Sequence, residues 1–313
     1  MSEKSLKVAL IGPPNVGKST LINAIIGQKI AITTYKPQTT RKTTLGIVTD
    51  DTTQIVFADT PGIFQPRKNH KLEQVIVNNA IKTIAKVDIL LFLVDGYLIE
   101  KILHNEVDNK ILEKIRQYHN VMDIILTPKF NKQIIFIANK IDTIANTLEN
   151  LSDEEIAIVY KTILNHDINN TEKKIIPVSA INSHNIQLLI DSIKPYSKDR
   201  NWEFPQDDCT DISERNLAQE ITREQIYLLM RLEIPYSVTV DTDTWEENLD
   251  GSVTIHQSIL VLKQSQKNMI IGVGGNMVKK IGERARLAIT SAINRQVHLF
   301  LHVKVRQDWI NYL

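Results

Sequence analysis

The sequence predicts an α/β domain with a mostly parallel sheet and helices on both faces, followed by a smaller α+β domain. Three observations carry that prediction. Short apolar runs such as Val8-Ala9-Leu10-Ile11 and Ile89-Leu90-Leu91-Phe92-Leu93-Val94 alternate with helical stretches through the first part of the chain, the pattern of a parallel sheet with crossover helices. The residues able to do chemistry fall in the loops after those runs, where open α/β sheets bind ligands. Beyond Pro205 the pattern changes to helix, two alternating strands, helix, glycine turn, helix and strand. A length of 313 residues, 42% apolar and 23% charged, suits about two globular domains.

The first strand is Leu6–Ile11, and Gly12-Pro13-Pro14-Asn15-Val16-Gly17-Lys18-Ser19-Thr20 opens the first helix, which runs to about Gly27. The spacing G-x-x-x-x-G-K-[ST] lets successive backbone N–H groups converge on phosphate oxygens at a helix N-terminus. Lys18 then reaches the β and γ phosphates, and the Ser19 hydroxyl takes a place on Mg²⁺. The following segment, Lys29 to Lys42, is polar, rich in threonine and broken by Pro37, and reads as a mobile loop. A threonine hydroxyl there can join Mg²⁺ and the γ-phosphate and let go after hydrolysis. Of Thr39 and Thr40, Thr40 is favoured for this role.

Strands over about Thr43–Asp50 and Gln54–Ala58 lead to Asp59-Thr60-Pro61-Gly62. An acid at the carboxyl end of a buried strand holds Mg²⁺ in P-loop enzymes, and Gly62 can bring its N–H against a γ-phosphate because no side chain intervenes. Residue 63 is Ile, which cannot orient water as a glutamine does. Hydrolysis is therefore expected to be slow or to use another group. A helix ends near Lys86, a strand covers Val87–Val94, and Tyr97–Lys132 reads as one or two polar helices without evident chemistry.

The strand Gln133–Ala138 delivers Asn139-Lys140-Ile141-Asp142. Asp142 can accept from guanine N1–H and N2–H₂, a pairing adenine lacks, while Asn139 braces the loop and Lys140 lays its stem along the base. Sites built on such hydrogen bonds reject analogues that cannot make them. After helical sequence to about Asn165, a strand over Lys173–Val178 ends in Ser179-Ala180-Ile181, where the Ala180 N–H is placed to meet guanine O6. A helix over about Asn185–Ile193 closes the domain. From these residues the catalytic set is Lys18, Thr40 and Gly62, with Ser19, Thr40 and Asp59 for Mg²⁺.

The phrase Gly12-x-Pro14-Asn15-Val16-Gly17-Lys18-Ser19-Thr20, Gln38-Thr39-Thr40-Arg41, and a hydrophobic residue after D-T-P-G resemble the Era/Der/TrmE group of P-loop GTPases. The resemblance implies GTP and GDP as ligands, a hydrophobic residue in place of the catalytic glutamine, and in some members a K⁺ held by the P-loop asparagine. For this chain that residue is Asn15.

Residues Lys198–Asp211 carry charge, Pro205 and no periodicity, and read as a linker; Cys209 within it is an incidental thiol. Ser213 is a good N-cap for a helix with an apolar stripe of Leu217, Ile221, Ile226, Leu228 and Leu229, stopped by Pro235. Strands over Tyr236–Asp243 and Val253–Leu262 precede a helix, the turn Gly272-Val273-Gly274-Gly275, a second helix to about Asn294 and a last strand, His298–Val305. This order is that of a type II KH domain, whose G-x-x-G turn clamps the backbone of single-stranded nucleic acid. Lys279, Lys280, Arg284 and Arg286 follow the turn and can line the path. Val273-Gly274 departs from the basic residue often found in such loops, which leaves more of the grip to the lysines.

Charge supports the same division. From Glu203 to Asp250 there are thirteen acids against three Arg, whereas from Gly251 to Leu313 nine Lys or Arg face two acids, with His256, His298 and His302 besides. An asymmetry of this kind suggests an anionic partner for the basic end. The expected limits are 1–197 for the GTPase domain, 198–212 for the linker and 213–313 for the KH domain. One GTPase domain joined to one KH domain resembles the Era family over nearly the whole chain. That implies binding to the 3′ end of 16S rRNA, help in assembly of the small (30S) ribosomal subunit, and peripheral inner-membrane contact; a monomer is expected. No apolar run approaches the ~20 residues of a membrane span, the N-terminus lacks a signal-peptide core, and a single cysteine makes no internal disulfide, so a cytoplasmic protein is expected. A different class of reading is a membrane-associated signalling GTPase that lays the basic C-terminal domain on anionic lipid. It needs an apolar face beside the lysines, for which Leu287 and Ile289 are the candidates.

Overall fold

β1 (Lys4–Ile11) lies inside the first sheet, paired in parallel with β3 (Thr53–Asp59) on one side and β4 (Ile89–Asp95) on the other. The computed structural model describes residues 3–36, 39–67, 70–125, 132–145, 148–165, 171–231 and 234–309. Outward from β4 come β5 (Gln133–Asn139) and β6 (Thr171–Pro177), both parallel, and beyond β3 lies β2 (Thr44–Thr49), the antiparallel edge. Side chains of β1, β3 and β4 are buried at consecutive positions, the mark of a sheet covered on both faces. The covering helices are α1 (Lys18–Ile26), α2 (Lys71–Lys86), α3 (Gly96–Leu103), α4 (Asn109–Ile125), α5 (Asp153–Leu164) and α6 (Ile186–Ile193). The first helix ends where expected, because Gly27 takes a left-handed φ of 75° and returns its N–H to Asn23 O. Where one or two helices were expected over 97–132, the structure has two, α3 and α4, and 126–131 lie outside the described residues.

Residues 198–211 are not a loose tether. β7 (Lys198–Asp199) pairs antiparallel with the start of β1, Gln54 exchanges hydrogen bonds with the Glu203–Phe204 backbone, and Thr210 bridges Gly46. The segment lies along the sheet because the ends of β1 and β2 offer backbone groups that need partners.

The second sheet runs β10 (Val297–Val305), β9 (Val253–Val261), β8 (Val238–Glu247), with β10 parallel to β9 and β8 antiparallel. Its helices are α7 (Glu214–Leu229), α8 (Gln264–Ile271) and α9 (Asn276–Ile293). Ile226, Ile270 and Ile281 from the three helices close one core with Val240, Ile259 and Leu301 from the strands. The α7 helix ends at Leu229, before Pro235, and Leu228 is 36% exposed rather than part of the stripe. In its place the core side of α7 is completed by Ala218 and Tyr227.

The chain separates into two compact units, 1–27 with 40–211 and 28–39 with 212–313. The second unit resumes at Ile212. Residues 28–39 were expected in the first domain and belong instead to the second unit, because Ile32 is buried in a cluster with Leu217, Ala218 and Ile221.

Candidate active site and nucleic-acid interface

The loops of the first unit converge at the carboxyl ends of β1, β3, β5 and β6. Gly12 has φ 146°, and a Cβ there would sit 2.9 Å from Leu93 O, so glycine is required for the backbone to pass β4. Pro13 and Pro14 carry the turn to Asn15, which stands exposed at φ 64°. A Cβ on Gly17 would overlap the Asn139 amide. That packing is tied by a hydrogen bond from Asn139 Nδ2 to Val16 O, 2.9 Å, so the asparagine expected to brace the base loop also braces the phosphate loop. Thr20 lies in the first turn of α1.

Lys18 is 6% exposed, and its Nζ donates to Gly12 O at 3.1 Å and Pro13 O at 2.9 Å. Burial pushes its pKa down to about 8, opposed by the charge of Asp59. Asp59 is fully buried; burial pushes its carboxyl up to about 6, against hydrogen bonding from Ser19 and the charge of Lys18. Ser19 Oγ donates to Asp59 Oδ2 at 2.6 Å, and Thr40 Oγ1 lies 2.9 Å from Ser19 Oγ and 3.4 Å from Asp59 Oδ2. Asp59 Oδ1 is buried with no hydrogen-bond partner among the described residues. Two hydroxyls and a buried, under-partnered carboxylate form an all-oxygen donor set that fits Mg²⁺. Thr39 is turned elsewhere: its Oγ1 lies 2.7 Å from Thr34 Oγ1 and 2.8 Å from Lys36 O. Gln38 lies outside the described residues.

Thr60 is buried and anchors its loop by donating to Leu10 O at 2.6 Å. Pro61 leads to Gly62, where a Cβ would come within 3.2 Å of the Pro14 backbone, so these two loops touch. Ile63 is 1% exposed and presents nothing to water.

In the loops after β5 and β6, Ser179 Oγ donates to Asp142 Oδ1 at 2.5 Å and so holds the carboxylate. Lys140, at φ 66°, donates from Nζ to Asp95 Oδ2 at 3.1 Å, which ties the end of its side chain to the end of β4. One contact differs from the expectation. The Ala180 N–H donates to Asn139 Oδ1 at 3.2 Å, so here it closes the loop–loop brace rather than facing outward to guanine O6. Asp95, which accepts from both Lys140 and the Tyr97 N–H, was missed in the sequence; its only signal was its place at the end of a strand.

In the second unit, Gly272, Gly274 and Gly275 have φ of 73°, 60° and 77°, all in the region that favours glycine. A Cβ on Gly272 would lie 2.8 Å from Met277 Cβ, whereas nothing stands within 4 Å of one on Gly275. The turn is thus tight at its start and open at its end, where α9 begins. Val273 is 91% exposed. Lys279, Lys280, Arg284 and Arg286 are all exposed, with Lys280 and Arg284 one turn apart and Lys279 and Arg286 two turns apart. Ile289 is fully buried in the core, so of the apolar pair considered for lipid binding only Leu287 faces outward.

Residues 7–140 match the family described as 50S ribosome-binding GTPase, and residues 233–310 match the KH domain family. GTPase Era of Mesorhizobium japonicum is 38% identical over 302 residues, covering 96% of this chain and 88% of that protein. GTPase Era of Rickettsia canadensis is 37% identical over 309 residues, covering 99% and 95%. The chain belongs to the Era family of GTPases. Era in complex with MgGDPNP and nucleotides 1506–1542 of 16S ribosomal RNA has a structure similar to this one, with a TM-score of 0.80 at 34% identity over 98% of this chain and 95% of that one. A variant of Aquifex aeolicus Era bound to GDP·AlF4⁻ has a TM-score of 0.79 at 32% identity, covering 98% and 95%. This Era-family protein is a GTPase with a P-loop domain of mostly parallel sheet followed by a KH domain. Among its described residues no helix is long and apolar enough to cross a membrane.

Proposed function

We propose that this protein binds GTP with Mg²⁺, hydrolyses it slowly, and in the GTP state grips the single-stranded 3′ end of 16S rRNA as an aid to small-subunit assembly. The observation that carries the reading is the presence, in one chain, of the Ser19–Thr40–Asp59 oxygen cluster and an open glycine turn followed by four exposed cations. Lys18 and the P-loop N–H groups hold the β and γ phosphates. Ser19, Thr40 and Asp59 would hold Mg²⁺, which would supply positive charge beside the γ-phosphate. Asp142, braced by Ser179, selects guanine. The similarity to Era in complex with MgGDPNP and 16S rRNA nucleotides supports both halves. On the RNA side, Gly272 and Gly275 let backbone approach phosphates, the N-terminus of α9 favours negative charge, and Lys279, Lys280, Arg284 and Arg286 add salt-dependent attraction.

The RNA half is tested by Gly275→Asp. The side chain has space, but the φ of 77° strains any residue other than glycine, by about 1–2 kcal/mol, so the fold is expected to survive with reduced stability, while a carboxylate at the phosphate clamp weakens binding to single-stranded RNA at least about tenfold, on the scale of about 1.5–3 kcal/mol for a hydrogen bond to a charged group. GTP affinity is expected to stay as in wild type. RNA affinity unchanged in fluorescence anisotropy would remove the turn from the interface.

With Ile63 buried, the neighbour best placed to assist chemistry is Asn15, exposed on the P-loop at positive φ. Its amide oxygen suits a monovalent cation lying against the phosphates. Hydrolysis is expected to be several-fold faster in K⁺ than in Na⁺ buffer, and Asn15→Ala to abolish that difference. Equal rates in the two salts would exclude the cation.

A further inference from the structure

Asp95 ends β4 and caps α3, and three of its polar atoms have fixed partners inside the first unit. Its backbone N–H donates to the Tyr118 hydroxyl at 3.0 Å, and the buried Tyr118 ring packs edge-on against Phe92 of the same strand. Its Oδ1 accepts from the Tyr97 N–H at 3.1 Å, and its Oδ2 accepts from Lys140 Nζ at 3.1 Å. The next residue, Gly96, leaves little room for a side chain: a Cβ would stand 3.1 Å from Asn139 O and 3.4 Å from Ile144 Cδ1. The start of α3 is thus set hard against the loop Asn139–Asp142, and β4 pairs with β5 at Asp95 and Asn139 themselves. Strand, helix and loop hold the carboxylate in place from three sides.

Lys140 is the mobile partner. It stands at φ 66°, a region that a residue with a side chain keeps only where its surroundings impose it. A lysine side chain has many rotamers, and ordering it on binding costs affinity. The ion pair removes that freedom beforehand. With side chains 36% and 19% exposed, the pair adds little to the stability of the fold, so its effect belongs to binding. We propose that Asp95 is a positioning residue for the nucleotide: by pinning Lys140 Nζ it presets the lysine stem along which the guanine base lies. This role rests on the reading of Asn139–Asp142 as the guanine loop, and it extends the base site to the end of β4.

The test uses the full-length protein and measures GDP and GTP binding in Asp95→Asn, Lys140→Ala and the double variant. Asparagine caps helices as well as aspartate does, so Asp95→Asn keeps the start of α3 and loses the charge on Lys140. It is expected to weaken GDP and GTP alike by about three- to tenfold, mostly through faster dissociation. KM for GTP should rise by the same factor while kcat at saturation holds within about twofold, the pattern of lost uniform binding. Lys140→Ala should cost more. The double variant should bind no worse than Lys140→Ala alone, whereas a merely structural Asp95 would lower affinity by the same factor with or without the lysine. GDP affinity of Asp95→Asn within about twofold of wild type overturns the positioning role, and so does an equal loss in both backgrounds. If Asp95→Asn fails to fold, Lys140→Met decides, because it keeps an apolar stem and removes the ion pair. GDP affinity should then fall about three- to tenfold, and unchanged affinity overturns the role. Wild-type affinity in Lys140→Ala takes the lysine out of the base site and defeats the guanine-loop reading of that residue together with the role of Asp95. Loss in Lys140→Ala with none in Asp95→Asn defeats the role of Asp95 alone.

Discussion

Replacing Lys18 with alanine is expected to lower GTP affinity by at least about a hundredfold, the lower part of the 2–5 kcal/mol range for truncating one partner of a buried charge pair. The side chain is buried, its ammonium group rests on the Gly12 and Pro13 carbonyls, and the charge of Asp59 opposes the effect of burial on its pKa. Two neutral acceptors compensate an ammonium poorly, which is why burial lowers its pKa to about 8. The phosphates of a nucleotide would supply the missing charge, so most of the energy of this lysine is realised only on binding. Its loss should spare the unliganded fold. A 1 kcal/mol change moves the melting temperature of a domain this size by about 2–4 °C, and the variant is expected within that range. Calorimetric titration with GTP, paired with thermal melting, checks both statements; micromolar GTP affinity in the variant would sink the phosphate assignment.

The second large effect is one of specificity. Asp142 is expected to accept from guanine N1–H and N2–H₂, and Ser179 Oγ already donates to its Oδ1, which fixes the plane of the carboxylate. In Asp142→Asn an amide N–H₂ faces the exocyclic amine of guanine, donor against donor. An unsatisfied buried group costs about 1–3 kcal/mol, so GTP affinity should fall about 10- to 100-fold. Xanthine presents a carbonyl at that position and should become the preferred base. Competition between GTP and XTP against a fluorescent nucleotide measures the switch, and unchanged preference for GTP would refute the role of Asp142.

The parts of this account legible in sequence are those encoded at short range. Gly12 to Ser19, Asp59 to Gly62 and Asn139 to Asp142 are spaced by a strand end and a turn, and the structure brings all three stretches to one edge of the sheet. The turn at Gly272–Gly275 was legible for the same reason. The threonine choice also follows from position, since Thr40 reaches Ser19 while Thr39 bonds within its own loop. Long-range partners were not legible. Arg223 and Glu224 look like surface charges on an amphipathic helix, yet both are buried because residues 28–39 fold over that side of α7. Nothing local in Lys29–Lys36 signals which unit it will join. Likewise Leu228 and Leu229 look alike by pattern, and only packing exposes the first. The Ala180 N–H was offered to a base, but the nearer acceptor, Asn139 Oδ1, takes it.

The bound nucleotide is expected to control the RNA clamp. That control is tested most directly by the affinity of the full-length protein for a single-stranded RNA copying the 3′ end of 16S rRNA, measured with Mg²⁺ and GDPNP and again with GDP. Coupling between two ligands in one protein commonly amounts to about 5- to 150-fold. Binding is expected to be at least about tenfold tighter with GDPNP, and equal affinity in the two nucleotide states would mean that the nucleotide does not set the grip on RNA.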